Sequence, residues 1–301
     1  MGMQPSSTPR PRLLIIFNPT AGQRRQQLLA RTVTLLLRDQ WDITLKPTHA
    51  AGDATQLAMA AVRDAKYACV CAAGGDGTIN EVLNGLIAAG GHTVPLGLIP
   101  LGTANVLAHE LGYGSTPASW AKTITHGTAK QVHAGCYNGR YFVCMAGVGF
   151  DAQAVVSVNS RLKKLMGKGA YVLAILKLLH NLPKRAYQLT IDGQPAGTAA
   201  AVIASNGRYY AGRFVLAPTA ALDKPQLDFV LFRRGGLLGV LQVLATLPVG
   251  LVARLPGVVI VPGSSLTISN HAGDPVQADG DHIGDLPGTI ELAQNALTLI
   301  R

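Results

Sequence analysis

Cysteine, aromatic residues and nucleic-acid motifs are scarce in this sequence, and each scarcity disfavours a class of protein. The four cysteines are Cys69, Cys71, Cys136 and Cys144, and none has the CxxC or histidine-paired spacing of a zinc site. We therefore expect small, buried thiols in a reducing compartment. Aromatic residues make up 5% of the chain and no RNA-stacking motif is visible, which argues against a nucleic-acid partner.

Acidic residues are also few. The chain has 16 Asp and Glu against 26 Lys and Arg, a formal net charge of +10, which indicates an anionic partner such as a nucleotide or an acidic membrane surface. Hydrophobic residues make up 48% and charged residues 14% of the composition, as in a folded protein. The length of 301 residues favours two domains rather than one small core.

Long apolar runs are almost absent. Residues 1–11 have no apolar segment and predict a loose tail rather than a secretory signal, so we expect a cytoplasmic protein. The exception is 235–253, an uncharged stretch with arginines on both sides, as in a membrane span. A proline, a glutamine and several glycines within it favour instead a buried or membrane-surface helix.

Strand and helix patterns alternate through residues 1–125, and this predicts an N-terminal domain with a parallel sheet covered on both faces. Predicted strands lie at 13–17, 41–45, 67–73 and 96–99, and predicted helices at 24–38, 53–64, 79–89 and 104–111.

Residues 126–301 consist mostly of strand patterns joined by Gly, Pro and Asn turns. This texture predicts a second, mainly antiparallel domain. Its predicted strands lie at 131–136, 141–146, 187–191, 199–204, 227–232, 264–269 and 296–300, with helices at 162–180 and 237–247.

Three glycine-bearing loops follow predicted strands of the first domain: NPTAG at 18–22, GGDGT at 74–78 and PLGTAN at 100–105. Because loops at the carboxyl ends of parallel strands converge on one crevice, we expect a single ligand site. Glycine lets backbone N–H groups approach phosphate oxygens, and each loop opens a helix whose N-terminal end favours an anion. The spacing matches neither GxGxxG nor the P-loop GxxxxGK[ST], so both of those folds are disfavoured.

Asp76 lies among these glycines, where an acid would repel a bare phosphate. It therefore predicts chemistry, either with a magnesium ion between carboxylate and phosphate or as a proton acceptor. Thr78 and Glu81 have the T-x-x-E spacing of a helix capping box, and Asp76 could instead support a tight turn. For Thr78 and Glu81, capping and ligand contact are compatible and both stay open.

Together the loops resemble the diacylglycerol kinase catalytic-domain family, which includes sphingosine and ceramide kinases and the bacterial YegS-like lipid kinases. The matching motifs are FNPTAG at 17–22, GGDGTINEVLNGL at 74–86 and IPLGTANVLAHELG at 99–112. VCMAGVGFDA at 143–152 and ADGD at 278–281 extend the resemblance over nearly the whole chain. It implies a NAD kinase-like or diacylglycerol kinase-like α/β domain followed by a β-sandwich domain.

The resemblance also implies ATP- and Mg²⁺-dependent phosphorylation of a primary lipid hydroxyl, for example that of diacylglycerol or a sphingoid lipid. Asp76 matches the acid that works with Mg-ATP, as its metal ligand, or as general base on the acceptor. Asp281 matches the acid of the family's C-terminal DG[ED] turn, and Asp151 resembles the acid near the acceptor hydroxyl in sphingosine kinases. The implied nucleotide-binding residues are Asn18, Gly22, Gly74, Gly75, Gly77, Thr78, Glu81, Gly102, Thr103 and Asn105.

Two positions depart from the family pattern. Many bacterial members have GTxND where this chain has Val106 after Asn105, and VDxG where it has His133. Both missing acids belong to the family's metal-and-water network, so the magnesium ligands cannot be transferred directly. We favour an ordinary strand histidine at His133 over a catalytic one.

The segment 152–191 has no acidic residue and has basic clusters on either side of the apolar run 170–182. With the apolar residues at 237–253, it predicts reversible, peripheral docking on an anionic membrane. A solvated edge on a core helix is the alternative. The oligomeric state is open, and a homodimer is one candidate.

Two other functions remain in competition. NAD kinases and phosphofructokinases share a GGDGT-like loop, so a kinase with a soluble substrate is the nearest alternative. A lipid- or nucleotide-binding regulator without catalysis would account for Val106 and His133, but it would not account for the retained Asp76, Asp151 and Asp281.

Overall fold

The computed structural model describes residues 9–19, 23–90, 93–157 and 185–301 of the chain. The chain forms two compact units. Unit 1 contains the residues up to Gly102 together with Gly112–Lys130 and Leu297–Arg301, and unit 2 contains Thr103–Leu111 and Gln131–Ala296. The predicted Gly22 contact, most of the basic segment 152–191 and the helix predicted at 162–180 lie outside the described residues.

Helices and strands alternate through the first part of the chain. The elements are β1 Arg12–Phe17, α1 Gln23–Arg38, β2 Asp42–Pro47, α2 Asp53–Asp64, β3 Cys69–Gly74, α3 Asp76–Ala88, β4 Leu96–Pro100, α4 Val106–Glu110 and α5 Pro117–His126.

The sheet of unit 1 has the strand order β2-β1-β3-β4, and these strands are parallel. Every residue of β3 and β4 is buried, as expected for strands covered on both faces. Helix α2 buries Ala54, Ala58 and Ala61, and its small side chains let α3 approach closely. A Cβ added at Gly85 of α3 would lie 2.3 Å from the carbonyl oxygen of Thr55, so glycine is required at this helix contact.

The second part of the chain is rich in strands. The elements are β5 Ala129–Tyr137, β6 Arg140–Phe142, β7 Met145–Val148, α6 Phe150–Ser157, β8 Tyr187–Ile191, β9 Gln194–Ala199, β10 Ala201–Ser205, β11 Tyr209–Tyr210, β12 Phe214–Val215, β13 Leu227–Phe232, α7 Gly236–Thr246, 3₁₀ turns at Leu247–Val249 and Val252–Arg254, β14 Val258–Gly263, β15 Ser265–Ile268, β16 Pro275–Ala278, β17 Asp281–Asp285 and β18 Gly288–Ile300.

Unit 2 is a β-sandwich. One layer is the antiparallel sheet β14-β13-β10-β7-β16-β17, and the other contains β8, β9, β15 and the first part of β18. The core between them is formed by apolar side chains from both layers, including Tyr187, Leu266, Phe229 and Val276, each 0% exposed. The structure therefore confirms a parallel α/β part and an antiparallel β-sandwich.

Several element boundaries differ from the predictions. The strand predicted at 296–300 is the end of a longer strand, β18, which begins at Gly288. Helix α3 begins at Asp76, three residues before the predicted start. The single strand predicted at 141–146 is divided into β6 and β7, because the backbone N–H groups of residues 143–145 donate to a side chain, the Asp279 carboxylate, instead of to a neighbouring strand.

The apolar stretch 235–253 forms the 11-residue helix α7 and two 3₁₀ turns. None of the helices in the described part of the chain has the length and apolar character needed to cross a bilayer. Val240 is the one residue of α7 that is buried, so of the two alternatives predicted for this stretch, a buried helix is wrong.

Candidate functional site

The ends of three parallel strands meet in unit 1. The backbone N–H of Asn18, directly after β1, donates to the carbonyl of Ala73 in β3 over 3.3 Å. The N–H of Leu101, directly after β4, donates to the carbonyl of Gly74 over 2.8 Å. A Cβ built on Gly75 would lie 3.4 Å from the Cα of Gly102. The second and third loops are therefore in contact at Gly74–Gly75 and Gly102, and the first loop begins at Asn18 beside the end of β3.

Helix α3 starts directly from the second loop. Gly75 is its N-cap in an extended conformation and Asp76 is its first residue, so the N-cap residue has no side chain with which to cap the helix. The capping box predicted for Thr78 and Glu81 is wrong, because the helix has already begun when the chain reaches Thr78. The Glu81 carboxylate accepts instead from the N–H of Ala54 at the start of α2, over 3.3 Å.

The two glycines before Asp76 have different surroundings. A Cβ at Gly74 would lie 2.5 Å from Oγ1 of Thr78, so glycine is needed there for packing. Gly75 has φ −88° and ψ −176°, a conformation that any residue can adopt. Packing within unit 1 therefore does not explain glycine at position 75.

The third loop is shared between the two units. Gly102 belongs to unit 1, whereas Thr103 and Asn105 belong to unit 2, where Asn105 is the N-cap of α4 with a left-handed φ of 49°. Short polar side chains such as asparagine tolerate this conformation, which accounts for the residue type at this helix start.

Asp151 is a buried acid in the first turn of α6 in unit 2, and 5% of its surface is exposed. The Tyr210 hydroxyl donates to Oδ1 of Asp151, and Nε2 of Gln277 donates to Oδ2 over 2.6 Å. Burial raises the pKa of Asp151, while the hydrogen bonds from Tyr210 and Gln277 oppose that rise. The carboxyl group is thus fixed on both oxygens.

Asp281 follows a tight turn that Gln277 connects to Asp151. Strands β16 and β17 are joined by Asp279 and Gly280, with φ values of 48° and 90°, the left-handed pair of a type I′ hairpin. The Oε1 atom of Gln277 accepts from the N–H of Gly280 over 3.0 Å, while its amide nitrogen holds Asp151. Unit 2 therefore brings the Asp151 carboxyl and the turn before Asp281 into one hydrogen-bonded network.

Asp279 anchors this turn, and this role was not predicted from the sequence. Its carboxylate accepts the N–H groups of Val143, Cys144 and Met145 at 2.9, 3.0 and 3.0 Å. The sequence signal was present, since Asp-Gly between strands is a strong hairpin indicator.

Glu110 is a second residue that the sequence did not mark as functional. Its carboxylate, with a side chain 5% exposed, accepts from the backbone N–H and Nε of Arg208 at 2.9 and 3.2 Å and from the N–H of Tyr209 at 3.2 Å. It thereby fixes the segment that carries Tyr210 to Asp151. The pairing joins residues 98 positions apart, so nothing local in the sequence indicates it.

His133 is 8% exposed in strand β5, and its Nδ1 accepts the backbone N–H of Asn295 over 3.1 Å. Its backbone N–H donates to the carbonyl of Leu222 and its backbone carbonyl accepts from the side chain of Asn206, so both backbone groups and one ring nitrogen have partners within the fold. These contacts support the structural interpretation of His133.

Cys69, Cys71 and Cys144 are buried free thiols, as predicted, whereas Cys136 is a free thiol that is only partly buried, so the prediction is wrong for Cys136. Among the described residues, no group of three or more His, Cys, Asp or Glu side chains could hold a metal ion.

Comparison with known proteins agrees with this architecture. Residues 12–137 match the family described as diacylglycerol kinase catalytic domain, and residues 144–301 match the YegS C-terminal NAD kinase beta sandwich-like domain. The chain is 30% identical over 281 residues to the diacylglycerol kinase of Bacillus subtilis, covering 92% of each chain. It is 28% identical over 280 residues to that of Staphylococcus carnosus, covering 92% of this chain and 91% of the relative.

A solved structure shows the same fold. A diacylglycerol kinase of Bacillus anthracis superimposes with a TM-score of 0.77 at 25% identity, covering 97% of this chain and 98% of the other. The combination of a glycine-loop α/β unit, a β-sandwich unit and these matches shows that the chain belongs to the diacylglycerol kinase-like lipid kinase family, in the form with a YegS-type C-terminal domain.

Proposed function

We propose that this protein transfers the γ-phosphate of ATP to a primary hydroxyl of a lipid such as diacylglycerol, in a magnesium-dependent reaction. The observation that carries the proposal is the start of α3 at Gly75 and Asp76, where Gly75 lies beside Gly102 in unit 1. In a member of this kinase family, that arrangement combines a phosphate-binding helix start with an acid.

The backbone at the start of α3 is suited to phosphate. The first N–H groups of a helix have no partner within the helix, and the helix dipole makes this end partly positive. Because Gly75 has no side chain, a phosphate oxygen can approach these groups closely. We assign the nucleotide phosphates to Gly75, Gly77, Thr78 and Gly102, with Asn18 beside them.

The donor chemistry of the described residues fits a magnesium ion carried by the nucleotide rather than one held by the protein alone. Mg²⁺ usually takes one or two carboxylates together with substrate phosphates and water, and Asp76 is the acid that the second loop offers. Bound there, the ion would neutralise charge that develops on the phosphates during transfer.

Asp76 has two roles open to it, and both depend on its carboxylate. As a metal ligand it would fix the phosphates for in-line attack, and as a general base it would accept the proton of the acceptor hydroxyl. Phosphoryl transfer demands little covalent chemistry from a protein, so positioning and charge neutralisation account for most of the rate.

We assign Asp151 and Asp281 to the acceptor. A carboxyl whose pKa is raised toward neutrality is a better proton acceptor than an ordinary one, and burial raises the pKa of Asp151 in this direction. Asp281 follows the turn that Gln277 connects to Asp151, so the same hydrogen bonds would help to position both acids. The acceptor lipid resides in a bilayer, and the proposal therefore requires reversible contact with a membrane surface.

Substitution of Gly75 by alanine separates ligand binding from folding. We expect ATP-dependent activity to fall by about tenfold or more, because the new Cβ lies in the path of a phosphate. The free energy of unfolding should change by about 1 kcal/mol or less, since the backbone conformation suits alanine. Activity and urea unfolding are the measurements. Gly74→Ala, whose Cβ meets Thr78, should instead lower stability, and full activity in Gly75→Ala would contradict the phosphate assignment.

Substitution of Tyr210 by phenylalanine tests the role of Asp151 through pH. The Tyr210 hydrogen bond favours the ionised carboxylate, so its removal raises the pKa of Asp151 further. If Asp151 accepts the proton, the acidic limb of the kcat/KM profile moves to higher pH. The matched control is Tyr209→Phe, and a limb that does not move in Tyr210→Phe would remove Asp151 from the proton transfer.

A kinase acting on a soluble substrate of the NAD kinase type is the second candidate. The description of the matching C-terminal family as NAD kinase beta sandwich-like favours its inclusion. Both candidates transfer the γ-phosphate of ATP and differ only in the molecule that accepts it. Assays with lipids and with NAD as acceptors therefore distinguish them.

A further inference from the structure

Helix α7 and the turns that follow it present a cluster of exposed apolar side chains, which we call the α7 face. Its members are Leu237, Leu238, Leu241, Val249 and Leu251, with 48%, 76%, 44%, 66% and 39% of their surfaces exposed. They account for half of the ten large apolar residues found exposed in the described part of the chain. Apolar side chains exposed singly are ordinary, whereas a group of this kind indicates an interaction surface.

The charged residues next to the α7 face in the sequence have one sign. No acidic residue occurs between Asp228 and Asp274, and the exposed Arg233, Arg234 and Arg254 lie on either side of the apolar residues in sequence. The guanidinium of Arg233 donates to the carbonyls of Ala196 and Thr198, so Arg234 and Arg254 are the better candidates to contact a partner. Exposed apolar side chains with arginines nearby complement a layer that has an apolar interior and anionic groups at its surface.

The dimensions of α7 define how it can meet a bilayer. Eleven residues of helix extend about 16 Å, roughly half the hydrocarbon thickness, so α7 cannot cross it. An apolar helix face with basic residues nearby instead lies in the interfacial plane, with its apolar side chains at the boundary between headgroups and acyl chains.

We propose that the α7 face docks this protein on an anionic lipid bilayer, with Leu238 and Leu241 inserted below the headgroups and Arg234 and Arg254 at the lipid phosphates. The proposal rests on the proposed function, because a kinase of bilayer lipids must reach its substrate there. It names the surface that makes this contact.

Vesicle flotation tests the apolar part of the surface. The probes are vesicles of phosphatidylcholine with and without phosphatidylglycerol, and the variant is Leu238→Ser with Leu241→Ser. We expect the vesicle partition coefficient to fall by about tenfold or more, because two inserted side chains are lost. The matched control is Leu37→Ser with Leu45→Ser, which replaces leucines 50% and 45% exposed in unit 1. The control should bind as wild type does, and both variants should keep the wild-type melting temperature, as exposed substitutions usually do.

Charge substitutions test the electrostatic part. Arg234→Gln with Arg254→Gln should abolish the preference for vesicles that contain phosphatidylglycerol, and raised salt should weaken wild-type binding in the same way. Arg31→Gln, an exposed arginine of α1, is the control and should keep the preference.

Three outcomes would overturn the proposal: undiminished binding in the leucine variant, an equal loss in its control, or a wild-type dimer that the leucine substitutions dissociate without affecting vesicle binding. The last result, measured by light scattering, would assign the α7 face to a second copy of the chain.

Vesicle binding needs no ATP, so the kinase proposal and the docking proposal can be refuted separately. A chain that floats through the α7 face but phosphorylates no lipid refutes the kinase assignment alone, and lipid phosphorylation in detergent micelles with unchanged flotation of the variants refutes the docking surface alone.

Discussion

Substitution of Asp76 by asparagine is expected to lower kcat for lipid phosphorylation by about 10³-fold or more. The half-buried carboxylate begins α3 directly after the glycine loop, where it would either ligate the nucleotide's metal ion or accept the acceptor's proton. Asparagine retains the shape but loses the charge on which both roles depend, and losses of 10²- to 10⁴-fold are typical when such a group is removed. The measurement is the rate of labelled phosphate transfer to diacylglycerol in mixed micelles.

The Asp76 variant should remain folded. An acid in the first turn of a helix contributes only about 0.3–1 kcal/mol through the helix dipole, so the free energy of unfolding should change little. Asp64→Asn, which alters an exposed acid paired with Lys66, controls for a general effect of lost charge. More than a tenth of the wild-type rate in a folded Asp76→Asn protein would show that Asp76 merely supports the turn.

Substitution of Asp279 by alanine is expected to lower the free energy of unfolding by about 3 kcal/mol or more. Three backbone N–H groups lose a charged acceptor, and each such hydrogen bond contributes about 1.5–3 kcal/mol when considered singly. The left-handed φ of 48° at this position adds strain for alanine. Urea unfolding followed by circular dichroism is the measurement.

Two further variants identify the cause of that loss. Asp279→Asn keeps a short polar side chain that tolerates the left-handed conformation, so it should lose less than alanine does. Asp285→Ala removes an exposed acid paired with His282 in the same hairpin, and pairs of this kind contribute about 0–1 kcal/mol. Equal stability in Asp279→Ala and wild type would mean that the three bonds do not anchor the turn.

The fold could be predicted well where local pattern and burial coincide. The apolar run at 13–17 corresponds to β1, and the glycine loop 74–78 lies between β3 and α3 as expected. These elements are buried on both faces or amphipathic, so the hydrophobic pattern of their sequences predicts them. Helix α6 at Phe150–Ser157 was not predicted, because its short apolar sequence has no helical periodicity that distinguishes it from a strand.

The site could be predicted only as far as its motifs extend along the chain. The loops around Gly75 and Gly102 were recognisable because each motif is contiguous, and parallel strands bring their ends together. The contacts of Glu110 with Arg208 and of Asp151 with Tyr210 and Gln277 join residues 59–126 positions apart. Such pairs arise from the packing of unit 2 and leave no local pattern in the sequence.

The exposed face of α7 is a third case. An uncharged helix has nearly the same sequence whether it is buried, lies on a membrane or spans one. Because apolar residues occur on all sides of α7, the sequence does not show which side is exposed. The exposure of Leu238 at 76% and the burial of Val240 distinguish the two sides, and both depend on what the rest of unit 2 covers.

The central claim is tested most directly by the identity of the phosphate acceptor. Labelled ATP and magnesium are supplied to the purified protein with diacylglycerol, a sphingoid base and ceramide, each in detergent micelles, and separately with NAD. The account predicts a phosphorylated lipid that is absent with Asp76→Asn, and no product from NAD. Phosphorylated NAD without any phosphorylated lipid would contradict it and assign the protein to the soluble-substrate kinases.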